Sequence, residues 1–276
     1  DGGETVLEDE GLVYRSLGTS ALDEETVYSV QETMKPDMET AKEPWLQYHA
    51  VFDPAVIPFK RNHVWDTVQE DGTLVVGDPE LNPVNVVGDL LLPGRETFWG
   101  TIQVDTLPNT PIPIPSVAPT TRILSVHTAP NIPVTFYRDG ADNLHVSAGA
   151  FRGRLRLNIH VDAPTVWFQR SLPNRLAMDS IPSHLVPELP ANVQRDAAMV
   201  VEAIGLNRSN DFVGIVTELV SWFRGFTPGA VARTTGRTYR DLALGRRGIC
   251  RHRAYAFVVT AHALGIPARY VSNEGH

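Results

Sequence analysis

Gly248-Ile249-Cys250-Arg251-His252-Arg253-Ala254-Tyr255-Ala256-Phe257-Val258-Val259-Thr260-Ala261-His262-Ala263-Leu264-Gly265-Ile266-Pro267-Ala268-Arg269-Tyr270-Val271-Ser272 is the stretch that decides how the rest of this chain reads. From Cys250 onward, Ala254, Phe257, Ala261 and Leu264 recur at i+4, i+7, i+11 and i+14, which is one face of a helix. Gly265-Ile266-Pro267 stops that helix, and residues 268–272 read as a strand. The helix expected over 250–264 therefore carries the only cysteine of the chain in its first turn, next to a buried seam.

A thiol in that position suits a nucleophile. Unpaired amide N–H groups and the positive end of the helix dipole favour a thiolate, and Arg247, Arg251 and Arg253 add positive potential, so a lowered thiol pKa is expected. The same N–H groups would serve an oxyanion. A lone cysteine is otherwise a small buried hydrophobe. Thiol acyl transfer also needs a histidine within hydrogen-bond reach. Of nine histidines, His252 sits about 200° round the helix from Cys250 and His262 about 18 Å along it, so neither faces the sulfur. His276 follows the strand 268–272, and the turn Asn273-Glu274-Gly275 would return it to the thiol. Cys250 and His276 are the candidate catalytic pair.

Working back from this stretch, helical spacing predicts helices over 193–204 and 211–223, the second capped by Asp211 and carrying Phe212, Ile215, Leu219 and Phe223. Trp222 reads as a core aromatic. Further back the period changes to two. Strands are expected over 97–106, 122–127, 133–138, 144–147 and 154–161, the last alternating Leu155, Leu157, Ile159 and Val161 with Arg154, Arg156, Asn158 and His160. Asp139-Gly140-Ala141-Asp142-Asn143 joins two of them, and the proline-rich 108–119 is a loop or an edge. The fold class is α+β: an acidic region over 1–92, a β-sandwich over 93–172 and a helix-rich core over 173–276.

The chain of 276 residues is 42% hydrophobic and 20% charged, a globular composition. No apolar run reaches membrane-helix length and no repeat of 20–50 residues is present, so membrane-span and solenoid readings fall. One cysteine excludes an internal disulfide framework and a thiolate-caged metal. No calcium loop or helical histidine pair occurs, so neither metal nor cofactor is expected. The net charge of −8 is unevenly spread. Residues 1–50 hold twelve acidic side chains against Arg15, Lys35 and Lys42, and residues 221–276 hold nine arginines against Asp241 and Glu274. Those arginines are scattered, with no nucleic-acid motif beside them, so no nucleic-acid partner is expected. Complementary fields instead predict that the acidic N-terminal region docks on the basic C-terminal part as a cover or pro-segment. A start at Asp1, without methionine or an apolar leader, reads as a processed, secreted form, extracellular or periplasmic.

Gly248-Ile249-Cys250-Arg251, Ala254, Phe257, the run from Leu264 to Ser272 and Gly275-His276 together resemble the transglutaminase-like cysteine enzymes of bacteria. The resemblance implies a papain-like core, with Cys250 as nucleophile on a helix against an antiparallel sheet and His276 as general base and acid. It implies an aspartate on a strand beyond His276, so the core is expected to be truncated here and completed by a second, C-terminal fragment. Arg251-His252-Arg253 departs from the family, in which an acidic residue is common. The implied reaction is acyl transfer from a protein or peptide carboxamide through a Cys250 thioester. The acceptor decides between transamidase and hydrolase (peptidase or deamidase). Some relatives are inactive interaction or structural modules, and that is the alternative reading.

Overall fold

A computed structural model describes residues 13–17, 27–28, 33–38, 45–49, 51–53, 61–88, 90–168, 176–206, 211–231 and 235–272. The first strands are short: β1 (Val13–Leu17), β2 (Val27–Tyr28), β3 (Trp45–His49), β4 (Phe52–Asp53), β5 (His63–Trp65), β6 (Thr67–Val68), β7 (Leu74–Val75) and β8 (Asn82–Val84). Then come β9 (Arg95–Thr106), β10 (Ile112–Ile114), β11 (Arg122–Ala129), β12 (Thr135–Arg138), β13 (Leu144–Ser147) and β14 (Gly153–Pro164). Among the described residues, the α-helices α1 (Ala191–Ile204), α2 (Phe212–Arg224), α3 (Thr238–Gly245) and α4 (Cys250–Ala263) precede β15 (Tyr270–Ser272). The chain is α+β.

The period-two signal of the middle region becomes two sheets. One orders its strands β11-β14-β9-β2, with β4 also paired to β9, and the other orders them β10-β13-β12-β8. On β14, Leu155, Leu157, Ile159 and Val161 are buried, whereas Arg154, Arg156 and Asn158 are exposed. Those four apolar side chains share one cluster with Phe98, Ile102 and Val104 of β9, Ile112 and Ile114 of β10, Phe136 of β12 and Val146 of β13. The proline-rich segment supplies β10, an edge strand, where proline does least harm. The alternation breaks at Asp162, an outward position that is nevertheless buried. Its carboxylate accepts from Arg95 Nε at 2.7 Å and is also bonded by the Arg122 guanidinium. Burial opposes its ionisation, and those hydrogen bonds still hold its pKa below the usual value.

The second core gathers the helices. Asp211 caps α2, accepting from Gly214 N–H at 2.9 Å, and Ile215, Leu219 and Phe223 are buried as their spacing predicts. Helix α3 was not expected, because its buried Tyr239, Leu242 and Ala243 lie among arginines in only eight residues. Helix α4 is buried on most of its surface rather than along one stripe; Tyr255, Ala256, Val258, Val259 and Ala261 are all in the core, whereas Ala254 is exposed. Trp65, Val68 and Leu74, far upstream in sequence, belong to this same cluster.

Those upstream residues arrive by strand pairing. β5 runs antiparallel to β15, with Tyr270 opposite Trp65, Val271 opposite Val64 and Ser272 opposite His63. The other edge of β5 is closed by a side chain: Asn143 Oδ1 accepts from Val64 N–H at 2.7 Å, and Asn143 Nδ2 donates to Val64 O at 2.9 Å. Asp139 holds Asn143 in place, accepting from both its backbone N–H and its Nδ2 at 2.9 Å. The β12–β13 turn is thus locked onto the strand pair beside α4, and Arg61 and Arg269 reinforce it by donating to Ala141 O.

Candidate active site

The turn before α4 is tied down on both sides. Gly248 N–H donates to Thr227 O at 3.0 Å, and Arg247 Nη1 donates to Thr227 Oγ1 at 2.8 Å. Arg253 of α4 donates to Phe226 O. Gly248 has φ +142°, and a Cβ there would lie 2.6 Å from the His252 Cβ, so only glycine fits. Gly248→Ala is expected to cost roughly 2 kcal/mol or more and to change the reactivity of Cys250, because the turn that launches α4 must reform. Denaturant unfolding together with the alkylation rate of Cys250 checks this; an unchanged midpoint and rate would show the turn tolerates a side chain.

His252 closes the same turn from within the helix. Its Nδ1 accepts from Ile249 N–H at 3.1 Å, which leaves the proton on Nε2, and that proton is donated to Asp37 O at 2.9 Å. The side chain is fully buried, and burial pushes its pKa down. His252 is therefore structural. His262 is structural too, bonded through Nε2 to Ala268 O at 2.8 Å.

Cys250 is half-buried at the first position of α4, a free thiol. Burial pushes its pKa up, opposed by the backbone N–H of Arg251, the Arg251 and Arg253 guanidinium charges and its own N–H. The expectation of a lowered pKa is corrected here: the favourable groups are present, but desolvation outweighs them and holds the thiol pKa above its ordinary value. Tyr270 of β15 is buried, and burial first of all pushes the pKa of its hydroxyl up, with Arg251 opposing. The other half of the candidate pair, His276, lies outside the described residues.

Three neighbours were not legible in the sequence. Asp37 meets the start of α4 through its bond to His252, and Tyr270 lies on β15 opposite Trp65. His63 is buried opposite Ser272 on β5, its ring 4.5 Å from that of Trp65, and neither ring nitrogen has a hydrogen-bond partner. The apolar residues around it, Val64 and Trp65, were the available signal, but three residues show no clear period. Among the described residues no group of three or more histidine, cysteine or acidic side chains could hold a metal, and no described helix is long and apolar enough to cross a membrane. A cavity of about 1000 Å³, lined by Arg61, Trp167, Leu185, Arg269 and Val271 among others, does not include Cys250.

With this geometry in place, comparison with known families matches residues 206–276 to the transglutaminase-like superfamily. The matched segment includes α2, α3, α4 and β15, and Cys250 lies within it. Among solved structures, the chain is similar to a proposed cysteine protease from Cytophaga hutchinsonii at 13% identity and a TM-score of 0.31. The match covers 75% of this chain and 62% of that one. No curated protein matches the sequence.

Proposed function

We propose that the transglutaminase-like segment carries out thiol-dependent acyl transfer on a protein or peptide carboxamide. Cys250 Sγ attacks the carboxamide carbon as His276 takes the thiol proton. The amide C–N bond breaks, ammonia or an amine leaves with that proton, and a Cys250 thioester remains. An amine acceptor then gives a new amide; water gives a carboxylic acid. The observation that supports this is the place of Cys250: the first residue of a helix, with two amide N–H groups and two guanidinium charges beside the sulfur, inside the superfamily segment. Those N–H groups suit the oxyanion of a tetrahedral intermediate. Our reading also makes the two sheets around β9 and β13 an N-terminal β-sandwich and places the protein outside the cytoplasm. One observation favours the alternative of an inactive module: burial raises the thiol pKa.

The pH dependence of alkylation of Cys250, followed by mass spectrometry in the parent chain and in His276→Ala, tests the proposal. A rate limb that rises near the ordinary histidine pKa of about 6.5, and disappears in His276→Ala, is the expected result. A single rise at or above the free-thiol value of about 8.5, identical in both chains, would sink the enzyme reading and leave the inactive module.

A further inference from the structure

The space between β7 and the start of α4 is filled by residues 33–38, and they sit as a bound peptide sits. Met34 exchanges main-chain hydrogen bonds with Leu74, its N–H to Leu74 O at 2.9 Å and its O from Leu74 N–H at 2.7 Å, an antiparallel bridge on the edge of β7. Pro36 is buried, and Met34 and Met38 pack against the helical core. Lys35 Nζ bonds Asp71 at 3.0 Å. Asp37 reaches α4 twice: its carboxylate accepts from Arg251 Nη2 at 2.9 Å and its carbonyl from His252 Nε2 at 2.9 Å. Because Arg251 directly follows Cys250, its ion pair with Asp37 brings the segment to the turn of α4 that carries the thiol.

These are the elements of recognition by strand addition: main-chain pairing to a sheet edge gives sequence-independent hold, and side-chain sites along the segment give preference. Here the preference is electrostatic. Arg251, one residue after the nucleophile, presents a guanidinium to an acidic side chain. The acidic N-terminal region supplies that side chain from 214 positions away in the sequence. We propose that the space between β7 and α4 is a peptide-binding groove beside Cys250, selective for an extended segment with an acidic side chain against Arg251, and that residues 33–38 occupy it as an internal ligand. This rests on the reading of Cys250 as the reactive thiol, and it names the substrate class: an extended acidic peptide. It also gives Arg251 and His252 of the departing run a role, since they take the peptide's carboxylate and its carbonyl.

Asp37 ties the internal ligand to α4, and its side chain is 58% exposed, so its ion pair is one that a charge change can loosen. The test is the pH profile of Cys250 alkylation by an uncharged reagent in the parent chain and in Asp37→Arg. The plateau rate reports access to the thiol, and the apparent pKa reports charge. The plateau is expected to rise about fivefold in Asp37→Arg, the scale on which an exposed ion pair shifts an equilibrium. A synthetic peptide of residues 31–40 added to Asp37→Arg should lower the plateau again, and the same peptide carrying Asp37→Lys should not. An unchanged plateau with only a lower melting temperature would make residues 33–38 a fixed part of the fold and overturn the proposal. Equal protection by both peptides would overturn the acidic selectivity. Loss of the His276-dependent limb would overturn the function reading alone, because protection is read at the plateau whatever the thiol does.

Discussion

Trp65→Ala is expected to lower the unfolding free energy by about 3–5 kcal/mol, the range for deleting a large buried aromatic. Trp65 is fully buried in the cluster that also holds Leu219, Tyr255 and Val259, and its ring lies 5.9 Å from that of Tyr270. The expectation follows from topology as much as from size. β5 is a three-residue strand, held by β15 on one side and the Asn143 side chain on the other, so removing its largest apolar anchor leaves little to keep it in place. Trp65→Phe keeps most of the contact and drops an indole N–H that is buried without a partner, so it should cost far less. Urea unfolding of the two variants is the measurement. A loss below about 1 kcal/mol for Trp65→Ala would mean that β5 is not an integral part of the helical core.

The second large effect depends on pH. Burial lowers the pKa of His63 to about 4, outweighing the attraction of Asp139, while His145 and Arg61 push the same way as burial. The sign follows from linkage. Between the ordinary pKa of about 6.5 and the folded value, the unfolded chain binds a proton that the folded chain does not, so stability is full above pH 6.5 and declines as pH falls towards 4. The loss across that window is about 3 kcal/mol, from 1.36 kcal/mol per pKa unit. His63→Phe removes this contribution and should flatten the decline while leaving stability near pH 7 close to the parent value, because the imidazole makes no hydrogen bond there. His252 and His262 are also lowered by burial and will leave a residual slope of the same sign. Unfolding midpoints at intervals from pH 7 to 4, parent against His63→Phe, decide it; parallel curves would show that His63 is protonated or solvated in the folded chain.

Both predictions concern residues that the one-dimensional pattern left aside, and the reason is physical. β14 was legible because twelve residues give period two room to show, and the same holds for the thirteen residues of α2 with their Asp211 cap. β5, β7 and the bridge at Met34 are one to three residues long, too short for any period, and they exist only because partners far along the chain complete their hydrogen bonds. Asn143 is an instance at the level of one side chain. In sequence it is a turn residue, and in the fold its amide completes the hydrogen bonding of Val64, 79 positions away.

For the candidate site the division is similar. The sequence by itself determined that one thiol opens a helix after a glycine turn, that arginines surround it, and that acidic and basic charge lie at opposite ends of the chain; each is a matter of residue type and local spacing. Tertiary structure alone decided the balance at the sulfur. The helix terminus and guanidinium charges favour the thiolate, as their sequence positions imply, but how far the sulfur is buried depends on tertiary packing, and that desolvation raises the thiol pKa. It also decided where residues 33–38 go. Charge asymmetry predicts attraction without an address; for residues 33–38 the address comes from the edge of β7, which pairs with Met34, and from Arg251 and His252, which meet Asp37.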